Sequence, residues 1–136
     1  MYLLDTNILS ELIKRQANPS LIARLTSKLP QSLFTSCICV MELRFGSSLR
    51  KDFESFWPRI AEEILSRVSI LSLDFDEVLI AGDILAFLQK TGQTIGIEDV
   101  LIASTALNHQ CTLVSANTRH FSRIKNLTVE NWLDPF

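Results

Sequence analysis

The sequence predicts an α/β fold in which a central, mainly parallel sheet of four to five short strands is flanked by helices. Three observations lead there. Short apolar runs of strand length occur at residues 2–4, 32–36 and 111–115, and the stretches between them repeat apolar residues with helical spacing. Strand-length runs alternating with helices point to a parallel sheet covered on both faces. The 136 residues suit one compact domain, and no repeat, low-complexity tract or Gly/Ser/Pro-rich linker interrupts them, so a single domain over 1–136 is expected.

Tyr2-Leu3-Leu4 ends at Asp5-Thr6-Asn7 and reads as a buried strand feeding a helix, which Ile8, Leu9, Leu12 and Ile13 continue. Asn18-Pro19-Ser20 breaks that helix and starts a second, through Leu21, Ile22, Leu25 and Leu29, stopped near Pro30. Residues 32–36 form the second strand, 38–49 a helix, and 53–68 an amphipathic helix. Residues 68–73 are β-like, and 75–89 are strongly helical, with Asp74 and Asp76 as caps. Thr91-Gly92-Gln93-Thr94 is a loop, 97–108 a helix rich in small residues, and 111–115 a strand. A polar turn follows, and Leu127-Thr128-Val129 supplies a final edge strand.

With 13 basic and 15 acidic residues the formal charge is −2, which argues against a broad basic face for nucleic acid. The hydrophobic share of 47% with 21% charged residues excludes disorder, collagen and coiled-coil arrays. No basic segment precedes Asp5, and no apolar run approaches the ~18 residues that span a bilayer. A reduced, cytoplasmic protein without membrane association is expected, with Cys37, Cys39 and Cys111 as small buried hydrophobes. Cys37-x-Cys39 is too tight for a zinc hook, and no second pair exists.

Working residues of such folds gather beyond the carboxyl ends of the strands. Asp5 follows the first strand directly. Glu42 shares a helix face with Ile38, Phe45 and Leu49, which places it on the inward stripe, and Asp99 opens a helix whose same face carries Ile102, Ala103 and Ala106. Buried carboxylates need partners. Few Lys or Arg lie near these three in sequence, so a hard divalent cation such as Mg²⁺ or Mn²⁺ is the expected counter-charge. Each acid also has a plainer role: Asp5 as a helix cap, and Asp99 or its neighbour Glu98 as complements to a helix dipole. Periodicity does not choose between Glu98 and Asp99. Glu42, in mid-helix, has no capping role. Asp83, among Leu79, Ile80, Ala86 and Phe87, is expected to be a half-buried structural or interface carboxylate.

Beyond the 111–115 strand, Ser115 and Asn117 are candidates to orient a carboxylate or a metal-bound water, or simply to form the turn. Between Gln110 and Val129 no acid occurs, and Arg119, Arg123 and Lys125 form a local positive patch suited to a phosphate backbone or to solvent. His109 and His120 have no metal spacing with a Cys or Glu. Neither a Gly-rich phosphate loop nor a Gly-x-Ser-x-Gly elbow is present.

Taken in order, Leu4-Asp5-Thr6-Asn7-Ile8-Leu9-Ser10-Glu11, Met41-Glu42-Leu43-Arg44-Phe45-Gly46, Asp99-Val-Leu-Ile102-Ala103-Ser-Thr-Ala106 and Leu113-Val-Ser-Ala-Asn117-Thr-Arg119-His-Phe121 are similar to the successive motifs of PIN-domain ribonucleases. The set, closed by Val129-Glu-Asn-Trp132, most resembles the VapC toxins of bacterial toxin–antitoxin pairs. The resemblance implies a PIN fold, Mg²⁺- or Mn²⁺-dependent endoribonuclease activity on an RNA substrate such as a tRNA, and inhibition by a cognate antitoxin. Carried over by position, Asp5, Glu42 and Asp99 match the family's acidic metal-binding residues, which selects Asp99 over Glu98. Thr6, Ser115 and Asn117 fall at supporting positions, and Arg119 is the residue expected to help place the RNA. His120 stands where some members carry a further acid, and Cys39 where Thr is common.

A non-catalytic regulatory partner with the same fold and a nuclease acting on DNA are the competing expectations, since nothing in the sequence reads the 2′-hydroxyl. A homodimer is expected from the apolar stripes of the helices at 19–29 and 53–68 together with the resemblance.

Overall fold

The structure is a computed structural model, and residues 1–135 are described. Five parallel strands form one sheet: β1 (Tyr2–Leu4), β2 (Leu33–Ser36), β3 (Ser69–Leu71), β4 (Thr112–Val114) and β5 (Val129–Glu130), in the order β3-β2-β1-β4-β5. Leu3 faces Phe34 on one side and Leu113 on the other, so β1 is the central strand. Among the described residues seven α-helices connect and cover it: α1 (Thr6–Glu11), α2 (Pro19–Thr26), α3 (Cys37–Ser48), α4 (Phe53–Glu63), α5 (Phe75–Lys90), α6 (Ile97–Asn108) and α7 (Thr118–Phe121).

Strands of three or four residues bury what they have. Leu3, Leu4, Leu113 and Val114 are wholly inaccessible, and they pack with Ile8, Leu9, Ile102, Ala103 and Ala106 from the covering helices. The α6 stripe of small residues lets that helix lie close against the sheet and against α5. At the far edge Trp132 is fully buried, its ring 5.0 Å from that of Tyr2, with the Lys28 ammonium over both rings.

Several predicted boundaries move for identifiable reasons. The second helix ends at Thr26 rather than Leu29, which is exposed. The predicted 53–68 helix stops at Glu63, and Leu65–Arg67 tightens into a 3₁₀ turn feeding β3. The predicted polar turn after β4 contains the short helix α7, and the last strand lies at Val129–Glu130. Two burial expectations are corrected. Phe45 and Leu49 are exposed (66% and 73%), because α3 turns Cys39, Leu43 and Ser47 inward instead, and Glu42 lies at the border of that stripe. Asp83 is exposed on α5 rather than half-buried, since that helix buries Ala81, Ile84 and Leu88. Ile60 and Ile64 in the 53–68 region and Leu21 in α2 are core, so much of the apolar surface expected to pair two copies faces inward.

Asn18 ties the first third of the chain to the last. Its Oδ1 accepts from the Ser20 and Leu21 amides at 2.9 and 3.2 Å, capping α2, and its Nδ2 donates to the Leu133 carbonyl at 3.0 Å. Asn18→Ala is expected to cost about 1–2 kcal/mol. Thermal denaturation reads this as a fall in Tm, and an unchanged midpoint would refute it.

Candidate active site

The strand order reverses direction at β1: the chain leaves it towards β2 on one side, and β4 pairs on the other. In parallel α/β sheets the crevice beyond the carboxyl ends of such a strand pair is where ligands bind. Asp5 is the first residue after β1 and Ser115 the first after β4. Although 110 positions apart, they touch, with Ser115 Oγ donating to Asp5 Oδ2 at 2.8 Å.

Asp5 is almost wholly buried (3% exposed). It caps α1, as the sequence allows, its Oδ1 accepting from the Thr6 amide at 2.8 Å. The capping and site roles are therefore compatible. Thr6 links two acids, because its hydroxyl donates to Glu42 Oε1 at 2.7 Å. Ser115 Oγ in turn accepts from the Asn117 amide at 2.9 Å, so Asn117 acts on the cluster through its backbone and starts α7. Asp99, in the first turn of α6, is half-buried, whereas Glu98 beside it is exposed. Arg119 is exposed on α7. Of the other basic residues in that stretch, Arg123 donates to the Thr94 carbonyl at 3.2 Å, and Lys125 lies over the Phe87 ring.

The electrostatics are those of an anionic cluster. Burial pushes the Asp5 carboxyl above its ordinary range, partly offset by Ser115 and Thr6, and the charge of Asp99 pushes it further. Glu42 is raised by burial, against the Thr6 hydroxyl, and by the charges of Asp5, Asp99 and Glu98. Lysine and arginine pair with acids elsewhere, at Lys14–Glu11, Arg50–Asp52 and Arg59–Glu63, and the basic side chain that reaches the cluster is His120, at Asp99. One oxygen each from Asp5 and Glu42 and the Cys39 sulfur lie within 4.8 Å of one another, and the two carboxylates of that group are of the kind that can hold a hard divalent cation. Asp99 stands outside that tight group but within electrostatic reach of both acids.

Three neighbours were not singled out as site residues by sequence reasoning. Cys39 is fully buried with its sulfur 3.9 Å from Asp5 Oδ1. Burial and the Asp5 charge push its thiol to about 11, so it meets the carboxylate as a neutral donor. Its place in the turn above Ser36, whose hydroxyl caps α3, is the signal that finds it. Asn7 Nδ2 approaches Asp5 Oδ2 at 3.4 Å while its Oδ1 accepts from the Ala116 amide at 3.2 Å, stitching the two strand ends together. His120 Nδ1 lies 3.3 Å from Asp99 Oδ2. That contact depends on α7, which sequence reasoning left as a turn.

The family model of the PIN domain matches residues 2–127. The chain belongs to the PIN-domain family. Among its PIN-domain relatives, ribonuclease VapC2 of Haemophilus influenzae is 35% identical over 132 residues, covering 97% of this chain and 98% of its own. Toxin FitB of Neisseria gonorrhoeae is 32% identical over 139 residues, covering 98% of this chain and all of its own. The VapBC2 structure from Rickettsia felis, bound to a DNA fragment from its promoter, superposes with a TM-score of 0.87 at 33% identity, over 96% of this chain and 98% of that one. The α/β, parallel-sheet expectation and the PIN-domain resemblance both hold. Among the described residues no helix is long and apolar enough to cross a membrane.

Proposed function

We propose that this PIN-domain chain is a metal-dependent endoribonuclease and the toxin of a toxin–antitoxin pair. The observation that carries the reading is the anionic cluster at the β1–β4 crevice, where Asp5 is buried, Glu42 is half-buried, both carboxyls are raised, and among the described residues no Lys or Arg is paired to either. Likeness to a relative named as a ribonuclease, to one named as a toxin and to a VapBC complex supports the substrate and the antitoxin partner.

Asp5, Glu42 and Asp99 would hold the metal, Mg²⁺ or Mn²⁺. A divalent ion there neutralises charge on the phosphodiester and lowers the pKa of bound water. Thr6 and Ser115 fix the rotamers of Glu42 and Asp5 by donating to them, which keeps their remaining lone pairs directed into the crevice. Cys39 and the Thr6 amide occupy the inner side of Asp5. Arg119, exposed on α7 beside the crevice, supplies positive charge for the RNA backbone. Acting on RNA, the protein would work in the cytoplasm.

Incubating the purified protein with labelled RNA, tRNA included, and with DNA separates the readings. RNA cleavage that requires Mn²⁺ or Mg²⁺ and stops in EDTA is expected, and Asp99→Asn is expected to lower it at least about 10-fold without loss of fold. Cleavage indifferent to EDTA, or full activity in Asp99→Asn, would overturn the assignment.

A further inference from the structure

A groove leaves the acidic cluster between two helices. Thr6, Ser10 and Ile13 line one side from α1 and the turn beyond it, and Glu42, Gly46 and Arg50 line the other. Thr6 and Ser10 share one face of α1, Glu42 and Gly46 one face of α3, and Ile13 and Arg50 follow just beyond the ends of those helices. Phe56 and Ile60 of α4 complete the lining of this open groove, whose volume is about 240 Å³. Thr6 and Glu42, which hydrogen-bond each other at the metal cluster, form its mouth. The cavity is thus continuous with the candidate active site.

Its chemistry is selective. Gly46 leaves the wall open, since a Cβ there would meet no atom within 4 Å. The Arg50 guanidinium lies 3.7 Å from the Phe56 ring centroid and is held in place by paired bonds to Asp52 at 2.7 and 2.9 Å. That arrangement presents a flat guanidinium plane stacked on an aromatic ring, its charge shared with Asp52. The space is smaller than the ~300–1,000 Å³ of a drug-sized ligand site and matches one ring system. Proteins that read single-stranded RNA do so by taking unstacked bases onto aromatic and arginine planes.

We propose that this groove is a nucleobase subsite, which takes the base of a nucleotide flanking the bond cut at the Asp5–Glu42–Asp99 cluster. It rests on the ribonuclease reading and adds the element that selects where an RNA is cut. The phosphate lies at the mouth, against the metal cluster, and the base descends between Ser10 and Gly46 towards the Arg50–Phe56 stack.

The test uses a short single-stranded oligoribonucleotide with a mapped cleavage site, a series carrying one abasic nucleotide at each position, and bis(p-nitrophenyl) phosphate, which has no base, all with Mn²⁺. The wild type is expected to cut about tenfold or more slowly when the base on one side of the scissile bond is missing. Gly46→Leu fills the groove and should cut the intact and abasic strands at the same low rate. Its loss on the intact strand should exceed its loss on the abasic strand by about tenfold. Because Leu favours a helix interior over Gly, its Tm should rise, which separates the effect from misfolding. Arg50→Ala, at an exposed position, should weaken discrimination in the same direction. Equal cutting of intact and abasic strands by the wild type, or full discrimination by Gly46→Leu, overturns the subsite and leaves the nuclease reading standing. Failure of the wild type to hydrolyse either RNA or bis(p-nitrophenyl) phosphate overturns both.

Discussion

Asp5→Asn is expected to abolish metal-dependent RNA cleavage and, in metal-free buffer, to raise the melting temperature. The two effects have one cause. Burial holds the Asp5 carboxyl above its ordinary range, with the charge of Asp99 adding to it. A carboxylate with a raised folded-state pKa contributes stability that is complete below its unfolded value, near 3.9, and is lost as pH rises through the folded value. At neutral pH the metal-free protein therefore carries a destabilising charge that Asn removes. Asn keeps an oxygen for the Thr6 amide, so the cap of α1 survives. Loss of a ligand should cost activity at least about 100-fold, since even outer partners of ligands cost about 10–100-fold. Metal then reverses the stability order: at 100 Kd it adds about 2.7 kcal/mol to the wild type and little to the variant. Thermal melts with and without Mn²⁺, at pH 5 and 7.5, check this. A variant less stable than the wild type without metal, or one equally stabilised by Mn²⁺, would contradict it.

Glu77→Ala is expected to cost about 3 kcal/mol, although the residue meets α6 at the end away from Asp99. Glu77 is 1% exposed, and it bridges α5 to α6. Its Oε2 accepts from the Asp74 amide at 3.1 Å, closing the α5 cap, and its Oε1 lies 3.1 Å from His109 Nε2 at the end of α6. Burial acts to raise its carboxyl, but its own amide, the Asp74 amide, Asn108 and His109 outweigh that and hold it below the ordinary range. The sign is opposite to that of Asp5. Stability from Glu77 is present above the unfolded pKa near 4.3 and is lost as pH falls through the lower folded value. Urea titrations across pH 3–7 should show the wild type losing stability on acidification and Glu77→Gln losing less. Parallel pH profiles would remove Glu77 as a source of acid sensitivity.

Much of this was readable beforehand because strand position and helix phase are local properties. Asp5 after an apolar run and Asp99 in the first turn of a small-residue helix are placed by patterns a few residues long. Their convergence is not local. It depends on β1 pairing with both β2 and β4, and only the motif resemblance carried that information. Glu42 shows the limit. Apolar residues at i−4, i+3 and i+7 suggested an inward face, yet Phe45 and Leu49 are exposed, because Cys39, Leu43 and Ser47 pack against the sheet. Hydrophobicity says that a residue prefers burial, while tertiary packing decides which stripe receives it. Cys39 and His120 entered the site through contacts across 34 and 21 positions, which no periodicity records.

The pairing of β1 with β4 also sets a clock on biosynthesis. The hydroxyl that braces Asp5 belongs to Ser115, and Asp99 comes from a helix that starts at Ile97, so the first two-thirds of the chain holds an incomplete centre. Synthesis proceeds from the N-terminus at about 5–20 residues per second. A ribosome-bound fragment ending before β4 therefore presents Asp5 without its brace. The centre is assembled only once β4 has been made and has paired with β1.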